Sequence, residues 1–140
     1  MLYAVAIVAH VVVAVLAIGL VGAIPITARW ARRSEASGTD VVLATLLRAV
    51  QVGFALMLVT GLLLDLSVEG AFHRTGWFKV SMGLLVVVGV SLGRTRASLV
   101  RAVAPGSKRD VDLGRVERWG WVTCGGVALV TVLMQSKLLP

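Results

Sequence analysis

The chain has 140 residues and a mass of 14.7 kDa, and apolar residues make up 58% of it. Its mean hydropathy is +0.92 and only 15% of its residues are charged, whereas soluble domains carry roughly a quarter charged residues. Its single cysteine, Cys124, excludes an internal disulfide. This composition excludes a soluble enzyme, a disordered chain and a disulfide scaffold. It predicts one membrane domain over residues 1–140.

Four apolar blocks follow one another at about residues 2–27, 41–65, 76–93 and 118–137. About 20 helical residues cross the hydrocarbon layer, and helices are favoured there because they satisfy their own backbone hydrogen bonds. The first block has no basic residue before Arg29, unlike a signal peptide, so we expect it to be retained. The sequence therefore predicts an all-α, integral membrane four-helix bundle.

Basic residues are concentrated in two of the connections between the blocks. The first connection holds three arginines and the third, at about 94–118, holds seven Lys or Arg residues, whereas the second holds only Arg74. Since basic connections stay in the cytoplasm, we expect loops 1 and 3 to be cytoplasmic and both termini to lie outside. Membrane topology then accounts for the net charge of +7. We expect no nucleic-acid partner, because no nucleic-acid recognition fold fits between the spans.

The third connection contains a turn signal, Pro105-Gly106-Ser107. Its charged flanks are expected to extend the third and fourth helices beyond the membrane. Two interpretations are open: a patch that contacts anionic lipid or a partner, or a solvated segment that only determines topology.

Small residues recur at helical spacing and predict close helix contacts, either within the monomer or across a homodimer face. We expect the fourth helix to be interrupted at Gly125-Gly126. The residues that predict contacts are Gly19 and Ala23 in the first helix, and Gly89 and Gly93 in the third.

One histidine, His10, lies within the first apolar span, about 12 Å below the outer surface. Its helical neighbours Ala6, Ala14 and Ala17 leave a flat vacancy that suits a neighbouring helix or a planar macrocycle. A neutral imidazole with one nitrogen fixed by a hydrogen bond can offer the other nitrogen to iron. The alternative is a histidine bonded to a carbonyl or hydroxyl of another helix.

The remaining candidate ligands of this outer half are Lys79, Met82, His73 and Arg74. Lys79 either pairs with Asp65 or extends to the surface, and Met82 lies at nearly the depth of His10. One candidate site can therefore be assembled in this half of the membrane. In the cytoplasmic half, Arg48 either binds an acidic group or extends to the surface.

Several short motifs occur in an order that is found in a known family. They are His10 to Gly19, Pro25 to Arg29 with Glu35 after it, Arg48 ahead of Thr60-Gly61-Leu62-Leu63-Leu64, Gly76-Trp77-Phe78-Lys79-Val80, and Arg118-Trp119. In these motifs the whole chain resembles the HemJ-type protoporphyrinogen oxidases, and the CopD-type copper-resistance domains are similar in layout. Two features differ: aliphatic residues replace the aromatic one after His10, and the third helix lacks the family's histidine.

The resemblance implies a haem b or porphyrin with His10 as the metal ligand and Lys79 and Arg48 near its acidic substituents. The second ligand is left open: Met82, His73 or the His10 of a second copy could serve, or the site has a single ligand. We therefore expect a haem- or porphyrin-binding redox protein or redox subunit of a bacterial inner membrane. The resemblance implies that, if the protein is an enzyme, it is an oxidoreductase of the protoporphyrinogen-oxidase-like type. Because HExxH, CxxC and phosphate-loop motifs are absent, a bound cofactor would have to supply the chemistry. No catalytic residue is assigned.

Two alternatives remain open. The first is a cofactor-free accessory subunit of a larger membrane complex, in which glycine and alanine faces pack against partner helices. The second is a small metal transporter, although copper requires several Met or His ligands close together.

Overall fold

The computed structural model describes residues 2–34 and 38–136, and the side chains of 3–34 and 38–134. Four helices make up most of this part: α1 (Leu2–Arg33), α2 (Thr39–Ser67), α3 (Gly76–Ala102) and α4 (Arg109–Ser136). A single-turn 3-10 helix, Phe72–Arg74, lies between α2 and α3, and the described residues contain no strand. The all-α four-helix prediction is confirmed. Glu35 and residue 137, at the end of the predicted fourth span, lie outside the described residues.

The helices continue past the apolar blocks on the side where the basic residues lie. The expected charged extensions of α3 and α4 are present, and Gly106, with a φ of +75°, forms part of the predicted turn between them. The predicted interruption at Gly125-Gly126 is wrong, because α4 is continuous there. Gly126 instead allows a close approach to α3, since a Cβ at this position would lie 2.7 Å from Val88 Cγ2.

Three helices, α1, α2 and α3, are long and apolar enough to cross a membrane. Over its described residues α4 does not meet the same criterion of length and apolar composition. Its first ten residues carry six charged side chains. Length and composition therefore support three of the four predicted spans. The fourth span, at 118–137, remains a prediction.

The helices are arranged in the spatial order α2, α1, α4, α3. α1 packs against both α2 and α4, and α4 packs against α3, whereas α2 and α3 touch only slightly. We call the end where α1 and α3 finish the arginine end, because most of the basic residues lie there. The opposite end, where α2 passes into α3, is the turn end.

The apolar core lies mainly in the half of the bundle nearer the arginine end. Ile24 of α1 and Leu113 of α4 are fully buried members of this cluster. Towards the turn end, none of the described α1 side chains before Ala17 is buried, and neither is any α2 residue between Val50 and Asp65. In the turn half, the α1–α2 pair therefore buries few side chains between its helices.

The glycines that bring helices together are mostly not the predicted ones. Positions Gly19 and Gly93 face open space, so their predicted contacts within the monomer are wrong, and a Cβ at Gly89 would reach only ordinary contact with the ring of Phe54. α1 and α4 approach closely at Gly120, where a Cβ would lie 3.1 Å from the fully buried Pro25. The homodimer face stays a prediction.

Ion pairs join three helices at the arginine end. Arg109 of α4 donates from Nη2 to Asp40 Oδ1 of α2 over 2.9 Å. Arg32 of α1 donates to two acids of α4: Asp110 Oδ1 at 2.9 Å and Glu117 Oε2 at 3.0 Å. These contacts neutralise part of the basic charge that the sequence concentrates here.

Candidate functional site

His10 lies between α1 and α2 in the turn half of the bundle. Its Nδ1 is 3.0 Å from Thr60 Oγ1, and the Thr60 hydroxyl donates its one proton to the Leu56 carbonyl at 2.8 Å. When the hydroxyl donates to this carbonyl it accepts from the histidine, and a neutral imidazole then carries its proton on Nδ1. In this tautomer Nε2 carries the lone pair, and the ring also has a hydrogen-bond contact with the Met57 backbone.

Gly61 provides the space that the imidazole occupies. A Cβ on this residue would lie 3.3 Å from His10 Cε1. The adjacent residues thus have different roles: Thr60 is hydrogen-bonded to the imidazole ring, and Gly61 leaves space for it. The prediction that His10 bonds to a hydroxyl of another helix is confirmed for Nδ1. The prediction that His10 binds iron concerns the other nitrogen and stays open.

The alanine strip around His10 is partly covered by α2. Ala17, one of the predicted neighbours, is buried and packs against Gly53, where a Cβ would lie 3.2 Å from the alanine Cβ. Ala6 and Ala14 are only half-buried. A neighbouring helix thus occupies one end of the predicted vacancy, and the end nearer the membrane surface is less filled.

The predicted companions of His10 on α3 are exposed. Lys79 forms no ion pair within the described part of the chain, and Met82 is 41% exposed. Both stand near the start of α3, which touches α2 only slightly. No described hydrogen bond or ion pair links either residue to His10, so the structure does not show them assembled around the imidazole.

The predicted Asp65–Lys79 pair is wrong, because Asp65 closes the α2–α3 turn instead. Its buried carboxylate accepts from the Phe72 backbone N–H at 2.9 Å and lies 3.1 Å from His73 Nδ1. Gly70 makes this possible, since its φ is +71° and a Cβ there would lie 2.2 Å from His73 Cε1. His73 is therefore held by the turn through one of its two nitrogens.

Arg48 belongs to the other half of α2. It is exposed and forms no ion pair with the described residues, and it lies about 18 Å along the helix from Thr60. No described hydrogen bond or ion pair links it to His10. Among residues 2–34 and 38–136, no three His, Cys, Asp or Glu side chains are grouped to hold a metal ion.

A buried row of hydroxyls between α3 and α4 was not predicted. Ser91 Oγ lies 2.7 Å from Thr123 Oγ1, and Thr95 Oγ1 donates to the Ser91 carbonyl at 2.8 Å. The available signal was the spacing of Ser91, Thr95 and Ser98 at i, i+4 and i+7, which marks one face of α3. Ser91 and Thr123 join the two helices, and Ser98 lines a groove between α3 and α4 at the arginine end.

His10, whose Nδ1 is hydrogen-bonded to Thr60, is thus the clearest ligand-capable group that the structure describes in the three helices long and apolar enough to cross a membrane. No protein-family model, curated protein or solved structure matches this chain. The residues themselves are the basis for the function proposed below.

Proposed function

We propose that this protein holds a haem or a related porphyrin in the turn half of its bundle, with His10 Nε2 as the iron ligand, and that it is a membrane redox protein or redox subunit. The supporting observation is the His10–Thr60 hydrogen bond. In metal-ligating histidines, a hydrogen bond from the other nitrogen fixes the tautomer and orients the ring. Haem, when bound, supplies one-electron chemistry.

The scarcity of buried side chains in the turn half of the α1–α2 pair also supports this proposal. A large planar apolar group needs space among apolar side chains, and the described part of α1 has no buried side chain before Ala17. The exposed ammonium of Lys79 near the turn end offers a cation for the acidic substituents of a porphyrin. His10 binds and orients the group, and Thr60 positions His10.

The proposed location is a bacterial inner membrane, with the arginine end in the cytoplasm and the turn end outside. The support is the distribution of charge: ten Lys and Arg residues lie in the first and third connections, against Arg74 in the second. Basic connections remain on the cytoplasmic side. Because α4 runs antiparallel to α3, this orientation also places the N- and C-terminal ends of the bundle outside.

The experiment is a hemin titration of the full chain in detergent, followed by the Soret absorbance. The wild type should saturate at one hemin per chain, and His10→Ala should bind at least about tenfold more weakly because the iron loses its ligand. Val11→Ala is the matched control, since it shortens an exposed side chain of the same helix. A wild type without a Soret shift, or equal binding by the wild type and His10→Ala, would contradict the proposal.

The second candidate is a cofactor-free accessory subunit. The observation that favours it is the exposed apolar face of α1, which includes Val8, Val12 and Val15, next to the open space at Gly19. Helices of another subunit or of a second copy fit such a face. A folded wild type that binds no hemin and co-purifies with other membrane proteins would favour this candidate.

A further inference from the structure

A groove at the arginine end lies between the C-terminal part of α3 and the N-terminal part of α4. Four arginines line it, together with Trp119 and Val122, and its volume is about 380 Å³. The arginines are Arg94, Arg101, Arg115 and Arg118. Two helices thus direct guanidinium groups into one concave surface.

The positive charge of this groove is only partly compensated. The buried carboxylate of Asp112 lies 2.7 Å from Arg115 Nη1 and 3.7 Å from Arg101 Nε. It is the one described carboxylate that pairs with the four arginines. Arg94 and Arg118 form no ion pair within the described residues, so the groove keeps a clear excess of positive charge.

The groove also lies at the boundary between apolar and charged sequence. Arg94 is the first charged residue after the apolar stretch 80–93, and Arg118 directly precedes the apolar part of α4. Arg94 stacks on Trp119, with its Cζ 5.5 Å from the ring centroid. Tryptophan and arginine at such a boundary are typical of the level of lipid headgroups.

A second cavity at the same end has a different balance of charge. Its volume is about 360 Å³, and Arg29, Arg32 and Arg33 share it with Asp110 and Glu117. Arg32 is bonded to both acids, so the charge there is largely neutralised. No apolar side chain lines this cavity.

We infer that the α3–α4 groove binds the phosphate of an anionic phospholipid headgroup. Arginine guanidinium groups match phosphate oxygens in geometry and charge. Asp112 holds Arg101 and Arg115 in place, Arg94 and Arg118 supply the free charge, and Trp119 with Val122 contacts the apolar part of the lipid. This site is independent of the His10 proposal.

The test measures lipid binding to the full chain in detergent by native mass spectrometry, with phosphatidylglycerol and phosphatidylcholine as probes. The wild type should prefer phosphatidylglycerol. Arg94→Gln/Arg118→Gln should weaken phosphatidylglycerol binding by about tenfold or more and leave phosphatidylcholine binding unchanged. Arg29→Gln/Arg33→Gln removes the same charge from the second cavity and should weaken it by about threefold or less.

Equal losses in the two double variants would overturn the inference, because they would show a general effect of charge. Displacement of the lipid by millimolar inorganic phosphate would also overturn it, since the source would then be free phosphate. The inference would also be overturned if Arg94→Gln/Arg118→Gln lost a co-purifying acidic protein while its lipid binding stayed unchanged. If the Gln variant does not fold, Arg94→Lys/Arg118→Lys keeps the charge and should still weaken binding, because lysine cannot form the bidentate contact.

Discussion

At the arginine end, Arg109 and Arg32 bond α4 to α2 and α1 over distances of 2.9–3.0 Å above a buried core. At the turn end, the described polar contacts of α1 with α2 are those of His10, with Thr60 and the Met57 backbone, and neither His10 nor Thr60 is fully buried. The same helices are thus tightly joined at one end and loosely joined at the other.

This difference separates the part of the bundle that stabilises the fold from the part that is able to receive another group. Close-packed halves resist changes of side-chain volume, whereas loosely packed regions with few buried contacts open more easily. Substitutions in the arginine half should therefore lower stability, and substitutions around His10 should mainly change ligand binding. Three variants test this comparison.

The largest expected effect on stability is that of Gly120→Val. Its side chain would collide with Pro25, whose ring atoms already lie 3.1–3.2 Å from an ideal Cβ at this position. We expect a loss of about 3 kcal/mol in the free energy of unfolding, measured by thermal unfolding in detergent. Gly125→Val on the same helix is the control, because no atom lies within 4 Å of its Cβ position. Equal unfolding temperatures for the two variants would show that α1 and α4 do not touch here.

A smaller loss of stability is expected for Arg109→Met. This change keeps the apolar stem but removes the bonds to Asp40 Oδ1 at 2.9 Å and to the Ala31 carbonyl at 3.2 Å. The expected loss is about 1–2 kcal/mol, because the guanidinium is partly exposed to solvent. Arg33→Met is the matched control, since Arg33 forms no ion pair with a described residue. If the control is equally destabilised, the bond from Arg109 of α4 to Asp40 of α2 does not contribute to the free energy of unfolding.

Thr60→Val should change stability least, by about 1 kcal/mol or less, but it should weaken hemin binding. It removes the oxygen that holds His10 Nδ1, and loss of such a partner typically costs tenfold or more in metal affinity. Thr45→Val is the control, because the Thr45 hydroxyl bonds only to the Val41 carbonyl of its own helix. Hemin binding that Thr60→Val leaves intact would mean that this hydrogen bond does not position a ligand.

Hydropathy predicted the four helices because a long apolar block has one stable backbone form in lipid. The apolar blocks alone do not show where the helices end, but the charged flanks of the third connection correctly predicted that α3 and α4 continue beyond them. The bonding of His10 was predicted only as an alternative, because its partner Thr60 is 50 residues away and the register of α1 on α2 sets the contact. The predicted Asp65–Lys79 pair is absent because Asp65 accepts hydrogen bonds from backbone N–H groups of the adjacent turn instead.

The most direct measurement of the central claim is the Soret absorbance of His10→Gly with hemin, with and without added imidazole. This variant removes the ring next to Gly61 and leaves space for a free imidazole. We expect almost no binding of hemin without imidazole and recovery of the wild-type spectrum with it. A spectrum that is the same for His10→Gly and the wild type, without imidazole, would contradict ligation of the iron by His10.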